Sequence, residues 1–169
     1  MNQNITNALN KQINEEMKSA YLYLAMSADF SDKNLPGFAQ WMHVQYQEEM
    51  VHAMKIYNYI LERGKKVELL EMDKPQSSWN SVEEAFEAAY QHEQFITDCI
   101  NKLVKLARDE SDYATEIFLQ WFVSEQVEEE ASADEILQNV KMVKESKHGM
   151  YMLDKEMSQR QFHDESGEE

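Results

Sequence analysis

The sequence predicts an all-α fold, a four-helix bundle with one long crossover and a short fifth C-terminal helix. Three observations carry that prediction. Only 4 Gly and 2 Pro occur in 169 residues, which leaves little chain for turns and favours long helices over a many-stranded sheet. Four long segments repeat apolar residues at helical spacing. The links between those segments are short, long and short in turn.

The first helix is expected from about Ile5 to Ser31, on an apolar stripe through Leu9, Ile13, Ala20 and Leu24. The stretch from Asp32 to Gly37 interrupts it, and Pro36 suits the first turn of a new helix, where a missing N–H costs nothing. The second helix runs to about Arg63, with Met42, Tyr46, Ala53, Ile56 and Ile60 on one side, and Gly64 is a natural C-terminal stop. A third begins near Ser81, which can cap it while Glu84 completes a capping box; its stripe is Phe86, Ala89, Ile96, Ile100, Leu103 and Ala107. The fourth follows Asp112 and aligns Phe118, Phe122, Ala133, Ile136 and Val140. A fifth segment, about Ser146 to Gln161, has a narrow stripe of Met150, Leu153 and Met157 and is too short to stand without a partner surface. Residues 1–162 read as one domain, and the polar stretch 163–169 as a disordered tail.

The links set the topology. Short links make the first and second helices antiparallel, and likewise the third and fourth. The link from Lys65 to Asn80 can extend roughly 50 Å at ~3.3 Å per residue. A helix of about 28 residues is roughly 42 Å long, so this link can run the whole bundle and leave the second and third helices parallel.

Charge and cysteine usage exclude several classes. Lys and Arg number 16 against 32 Asp and Glu, a net charge of −16 that disfavours nucleic acid and anionic membrane and attracts cations. Solubility alone would also explain that excess. The single cysteine, Cys99, supplies no disulfide framework and no thiolate metal motif, and its setting among Ile96, Ile100 and Leu103 predicts a small buried hydrophobe. No stretch resembles a signal sequence or a membrane span, so a soluble cytoplasmic protein is expected.

Each apolar stripe is interrupted by a polar residue at a position its own period assigns to the core. These are Glu16 in the first helix, Glu49 with His52 in the second, Glu93 in the third, and Gln126 with Glu129 in the fourth. All lie about 16–26 Å from their helix N-termini, near mid-height whichever way a helix points. No Lys or Arg shares those stripes. Buried, unpaired carboxylates cost several kcal/mol each, so their convergence calls for protons or for a pair of divalent cations. A lone Glu-x-x-His such as Glu49–His52 is common by chance, and the run Glu128-Glu129-Glu130 alone would be a solvated face. Four interrupted stripes at one height outweigh those readings.

Asn14-Glu15-Glu16 with Tyr23, Gln47-Glu48-Glu49-Met50-Val51-His52, His92-Glu93-Gln94 and the run from Leu119 to Gln126 resemble motifs of the bacterial non-haem ferritins, over about residues 5–160. The resemblance implies a 24-subunit homo-oligomeric shell that oxidises Fe²⁺ at an intrasubunit di-iron centre with O₂ or H₂O₂ and stores ferric mineral. By position, Glu16, Glu49 and His52 would hold one iron; Glu49 would bridge to a second, bound also by Glu93 and Glu129; Gln126 would be a hydrogen-bonding neighbour. Glu48, Glu125, Glu128 and Glu129 match a third iron site, and Tyr23 and Trp121 match aromatics beside the centre. Met50 falls where bacterioferritins place a haem ligand, but the non-haem members carry a methionine there too, so haem is not expected; Gln126-Val127-Glu128-Glu129 stands where bacterioferritins have a second Glu-x-x-His, which argues against their centre. The fifth helix would pack around a four-fold axis of the shell. The alternatives are a bacterioferritin-like or rubrerythrin-like di-iron oxidase with no major storage role, and a non-catalytic helical scaffold. One cysteine cannot supply the Cys-x-x-Cys pairs a rubrerythrin usually carries.

Overall fold

The computed structural model describes residues 1–163. Its helices are α1 (Gln3–Asp32), α2 (Pro36–Glu62), α3 (Val82–Asp109), α4 (Tyr113–Val143) and α5 (Lys147–Met157). The all-α four-helix bundle with a short fifth helix is therefore as expected. Residues 164–169, most of the predicted tail, lie outside the described residues.

Most helices begin on a side chain that accepts one of the orphan N–H groups of the first turn. Asn2 accepts from Ile5 N, Ser81 from Glu84 N, Asp112 from Thr115 N and Ser146 from Gly149 N. At α3 the predicted capping box is offset by one residue: Glu84 reaches back to Asn80 N at 2.9 Å. The first three helices end alike, with a left-handed residue and a backbone bond that closes the turn. Asn34 (φ 60°), Gly64 (φ 66°) and Ser111 (φ 54°) take that conformation, and Leu35 N, Lys65 N and Asp112 N bond to Phe30 O, Ile60 O and Ala107 O. Only the glycine was legible as a stop.

α2 is the exception at its start, because Leu35 offers no side-chain cap. The cap comes from α5: Asp154 Oδ1 accepts from Gly37 N at 2.9 Å and from Phe38 N at 3.1 Å. The approach is so close that a Cβ at Gly37 would sit 1.5 Å from the Asp154 carbonyl oxygen. Leu153 and Met157 are buried in the core of their own chain and Met150 packs against it. The stripe expected to meet copies of α5 thus packs within the chain, and the large apolar side chains that α5 exposes are Tyr151 and Met152. Its length made a partner surface necessary, and the α2 N-terminus and the end of α4 provide one.

The crossover is fastened along α1 by polar side chains that the apolar periodicity did not single out. Asn10 Oδ1 accepts from Glu68 N at 2.9 Å, and Asn14 Nδ2 donates to the carbonyls of Leu70 and Glu71 at 3.3 Å each. At the far end Asp29 Oδ2 accepts from Trp79 N at 3.2 Å, and Lys33 bonds the Trp79 carbonyl. The link thus travels from the end of α2 along α1 to the start of α3, which leaves α2 and α3 parallel.

The core falls into two apolar clusters. One gathers Tyr23, Phe30, Phe38, Trp41, Phe86 and Val140; the other gathers Leu9, Ile13, Ile56, Ile100, Leu119 and Phe122. Phase drift corrects some expected positions. Leu24 is 37% exposed, and Tyr23 and Met26 take the core side of α1 beyond Ala20. Tyr46 and Phe118 are half-buried. Cys99 is half-buried as well, not fully enclosed, and burial raises its thiol pKa.

Removing the borrowed cap tests the role of α5. Asp154→Ala should destabilise the protein by about 1–2 kcal/mol, the cost of losing a helix cap. Denaturant unfolding reads this, and an Asp154→Ala protein as stable as the parent would show that α2 does not depend on α5.

Candidate metal centre

The level between the two apolar clusters is polar. Glu16, Glu49, His52, Glu93, Gln126 and Glu129 are all buried, none more than 6% exposed. They come from all of α1 to α4, as the interrupted stripes predicted. Donor atoms of Glu16, Glu49 and His52 lie within 4.8 Å of one another. A second group, His52, Glu125 and Glu129, meets the same limit and shares the imidazole with the first. Opposed donors on a divalent ion stand about 4 Å apart at ~2.1 Å per bond, so small side-chain shifts would close either group around one ion.

Hydrogen bonds fix most of the carboxylates. Gln12 Nε2 donates to Glu16 Oε1 at 2.9 Å. The Tyr23 hydroxyl donates to Glu93 Oε1, while Gln126 Nε2 reaches Glu93 Oε2 at 3.2 Å. Gln126 thus donates to a glutamate of the layer. Gln45 Nε2 donates to Glu129 Oε2 at 2.6 Å. Gln12 and Gln45 were not anticipated, although each lies one turn before a site glutamate (Gln12 before Glu16, Gln45 before Glu49), a spacing that could have drawn notice.

Among the described residues two buried oxygens have no hydrogen-bond partner, Glu16 Oε2 and Glu49 Oε2. His52 Nδ1 lies 3.5 Å from the latter, an ion-pair distance rather than a hydrogen bond. Orphaned carboxylate oxygens facing an imidazole fit a hard or borderline cation.

Burial acts on every acid in the layer. It raises Glu16, and it raises Glu49 further, with the charges of Glu93 and Glu16 adding to the effect. It lifts Glu129, which also feels Glu93 and Glu49, and pushes Glu93 to about 7. Tyr23 is held well above its ordinary value by burial and by Glu93. Such acids keep protons in the absence of cations and release them when a cation arrives.

The remaining predicted residues divide. Trp121 packs edge-on against His52 at 5.4 Å, with Lys55 Nζ 4.4 Å above its ring. Glu48, Glu125, Glu128 and Glu129 line one cavity of about 220 Å³ with His52. Within it Glu125 Oε1 is 4.0 Å from His52 Nε2, Glu128 is exposed at the rim, and Glu48 is engaged by Arg160. Glu93 and Glu129 do not close with Glu49 into a single donor group of the kind formed by Glu16, Glu49 and His52; each is held by its own amide. Met50 lines a separate surface groove with Met54 and Tyr59. His92 lies beside Ser19 Oγ at 2.7 Å, and burial lowers its pKa to about 4, so it stays neutral at pH 7.

A helical bundle whose core is crossed by a layer of carboxylates and one imidazole has the architecture of the ferritin-like bundles. The chain belongs to the ferritin-like domain family, which it matches over residues 6–143. It is 40% identical to a bacterial non-haem ferritin of Campylobacter jejuni over 154 residues, covering 91% of this chain and 92% of that one. It is 39% identical to a bacterial non-haem ferritin of Bacteroides fragilis over 160 residues, covering 95% and 99% of the two chains. An open-pore ferritin from the archaeon Archaeoglobus fulgidus superposes with a TM-score of 0.94 at 48% identity, covering 95% and 99%.

The raised acids give a pH signature. A carboxyl whose folded pKa exceeds its unfolded value stabilises the fold while protonated, and that contribution is lost as pH rises through the interval between the two. For Glu93 the interval runs from 4.5 to about 7. Chelator-treated protein should therefore lose melting temperature across this range, and added Zn²⁺ should restore it. Glu49→Gln should flatten the decline; equal slopes in thermal melts of the two proteins would count against a proton-loaded layer.

Proposed function

We propose that this chain is a subunit of an iron-storage ferritin: it takes up Fe²⁺, oxidises it at the carboxylate layer, and deposits ferric oxyhydroxide inside a shell of 24 copies. The observation that carries the reading is the pair of orphaned oxygens on Glu16 and Glu49, buried at the level where His52, Glu93 and Glu129 also converge. In this reading residues 1–162 form the ferritin-like di-iron domain, and the protein works in the cytoplasm. Among the described residues no helix is long and apolar enough to cross a membrane.

Glu16, Glu49 and His52 hold one Fe²⁺, and Glu49 turns its second oxygen to another that Glu93 and Glu129 bind. Carboxylate oxygens favour Fe³⁺ over Fe²⁺, which makes loss of an electron easier. Each Fe²⁺ gives up one electron. Two together reduce O₂ to H₂O₂ with uptake of two protons, or reduce H₂O₂ to two waters with the same uptake. Tyr23 and Gln126 keep Glu93 aimed inward, and Trp121 backs His52. The cavity lined by Glu48, Glu125, Glu128 and Glu129 forms an outer station for a third iron. Haem has no part in this chemistry.

Two measurements test the proposal. Glu49→Ala should abolish rapid Fe²⁺ oxidation and leave the fold intact, with metal-free stability unchanged or raised because a buried acid is gone. Stopped-flow oxidation at the parent's rate would sink the assignment. Iron-loaded protein should appear in electron micrographs as round shells with dense centres, and small uniform particles without a core would exclude storage.

A further inference from the structure

The cavity that holds the outer station is walled on one side by a cation. Chain leaving α5 turns back toward α2, where Gln40 Nε2 donates to the Arg160 carbonyl at 3.2 Å. Arg160 then lines the cavity beside Glu48, His52, Glu125 and Glu129. It is the one Lys or Arg on that wall among the described residues.

Its guanidinium is held on several sides. One nitrogen donates to Gln45 Oε1 at 2.8 Å and the other to Glu48 Oε2 at 2.5 Å, while the group lies 4.3 Å over the Trp41 ring. An Arg fork bound this way is a fixed positive charge and not a wandering side chain. Its grip on Gln45 also sets that amide's orientation: with its oxygen toward Arg160, its NH₂ is aimed at Glu129 Oε2. One residue thereby neutralises Glu48 and, through one amide, orients a carboxylate that both stations use.

We propose that Arg160 is a positioning residue that keeps the outer station weaker than the deep pair, because an incoming third cation must share Glu48 with a charge already fixed there. The inference rests on the functional reading above and adds a reason for iron to pass through the outer station instead of resting in it. Two positive charges within one small cavity repel at any dielectric a protein provides, so removing the guanidinium should tighten the outer station roughly tenfold. The deep pair, bounded by Glu16, Glu49 and Glu93, should change far less.

Calorimetric titration of Zn²⁺ into chelator-treated, full-length protein at pH 7 separates the outcomes. In the parent, two Zn²⁺ per subunit should bind tightly and a third weakly. Arg160→Gln should strengthen the third about tenfold, Arg160→Lys should keep the parent's pattern because it keeps the charge, and adding Glu48→Gln to Arg160→Gln should abolish the gain. A third affinity unchanged within about twofold in Arg160→Gln, with the first two intact, overturns the role of Arg160 and leaves the iron centre standing. Weakening of every ion in Arg160→Gln would mark the residue as a structural strut and overturns it equally. A parent that binds no Zn²⁺ tightly overturns both readings.

Discussion

The structure depends on a layer of acids that water cannot reach. Glu16, Glu49, Glu93 and Glu129 are withdrawn from solvent by apolar clusters above and below, and the charges of neighbouring acids raise the cost of ionising Glu49 and Glu129. Such a layer survives only with protons, donors or cations in it. The amides of Gln12, Gln45 and Gln126 and the hydroxyl of Tyr23 satisfy several oxygens; of the two left on Glu16 and Glu49, the one on Glu49 lies 3.5 Å from His52 Nδ1. The helical frame supplies the other half of the arrangement, since caps and left-handed stops fix where each helix begins and ends. A slip of one residue in any helix would rotate its glutamate by about 100° out of the layer.

Much of this was legible because it is periodic. A carboxylate on an apolar stripe can be read from spacing alone, and so can its height along a helix of known length. The features that escaped are those made by side chains far apart in sequence. Asp154 capping α2 breaks no pattern within α5, and Asn10 and Asn14 read as ordinary polar residues of α1 until the crossover is laid beside them. Arg160 lies beyond the last helix, where no periodicity operates. The drift that exposes Leu24 and buries Tyr23 has a simpler cause: two successive four-residue steps, from Glu16 to Ala20 to Leu24, carry a stripe off the core side of a helix with 3.6 residues per turn.

The outer cavity shows how unlike two neighbouring acidic sites can be. In the deep layer burial dominates, so protonation is the alternative to a cation. In the outer cavity Glu48 and Glu125 keep part of their surface in solvent and a guanidinium is already in place. His52, whose ring lies within reach of donors in both groups, joins them. An ion moving between the two would exchange neighbours around a single imidazole.

The long crossover also bears on how the chain reaches this state. Helices α1 and α2 meet through a short turn, as do α3 and α4, so each pair can form as a local hairpin soon after collapse. Joining the hairpins is the non-local step, and in the folded chain the crossover lies along α1. Each hairpin contributes two of the buried glutamates, Glu16 and Glu49 from one and Glu93 and Glu129 from the other. Docking therefore brings four acids from water into a common seam. The barrier to folding should lie at that encounter, low when the acids are protonated and high when they arrive charged, and a divalent ion captured by the first hairpin would template the arrival of the second.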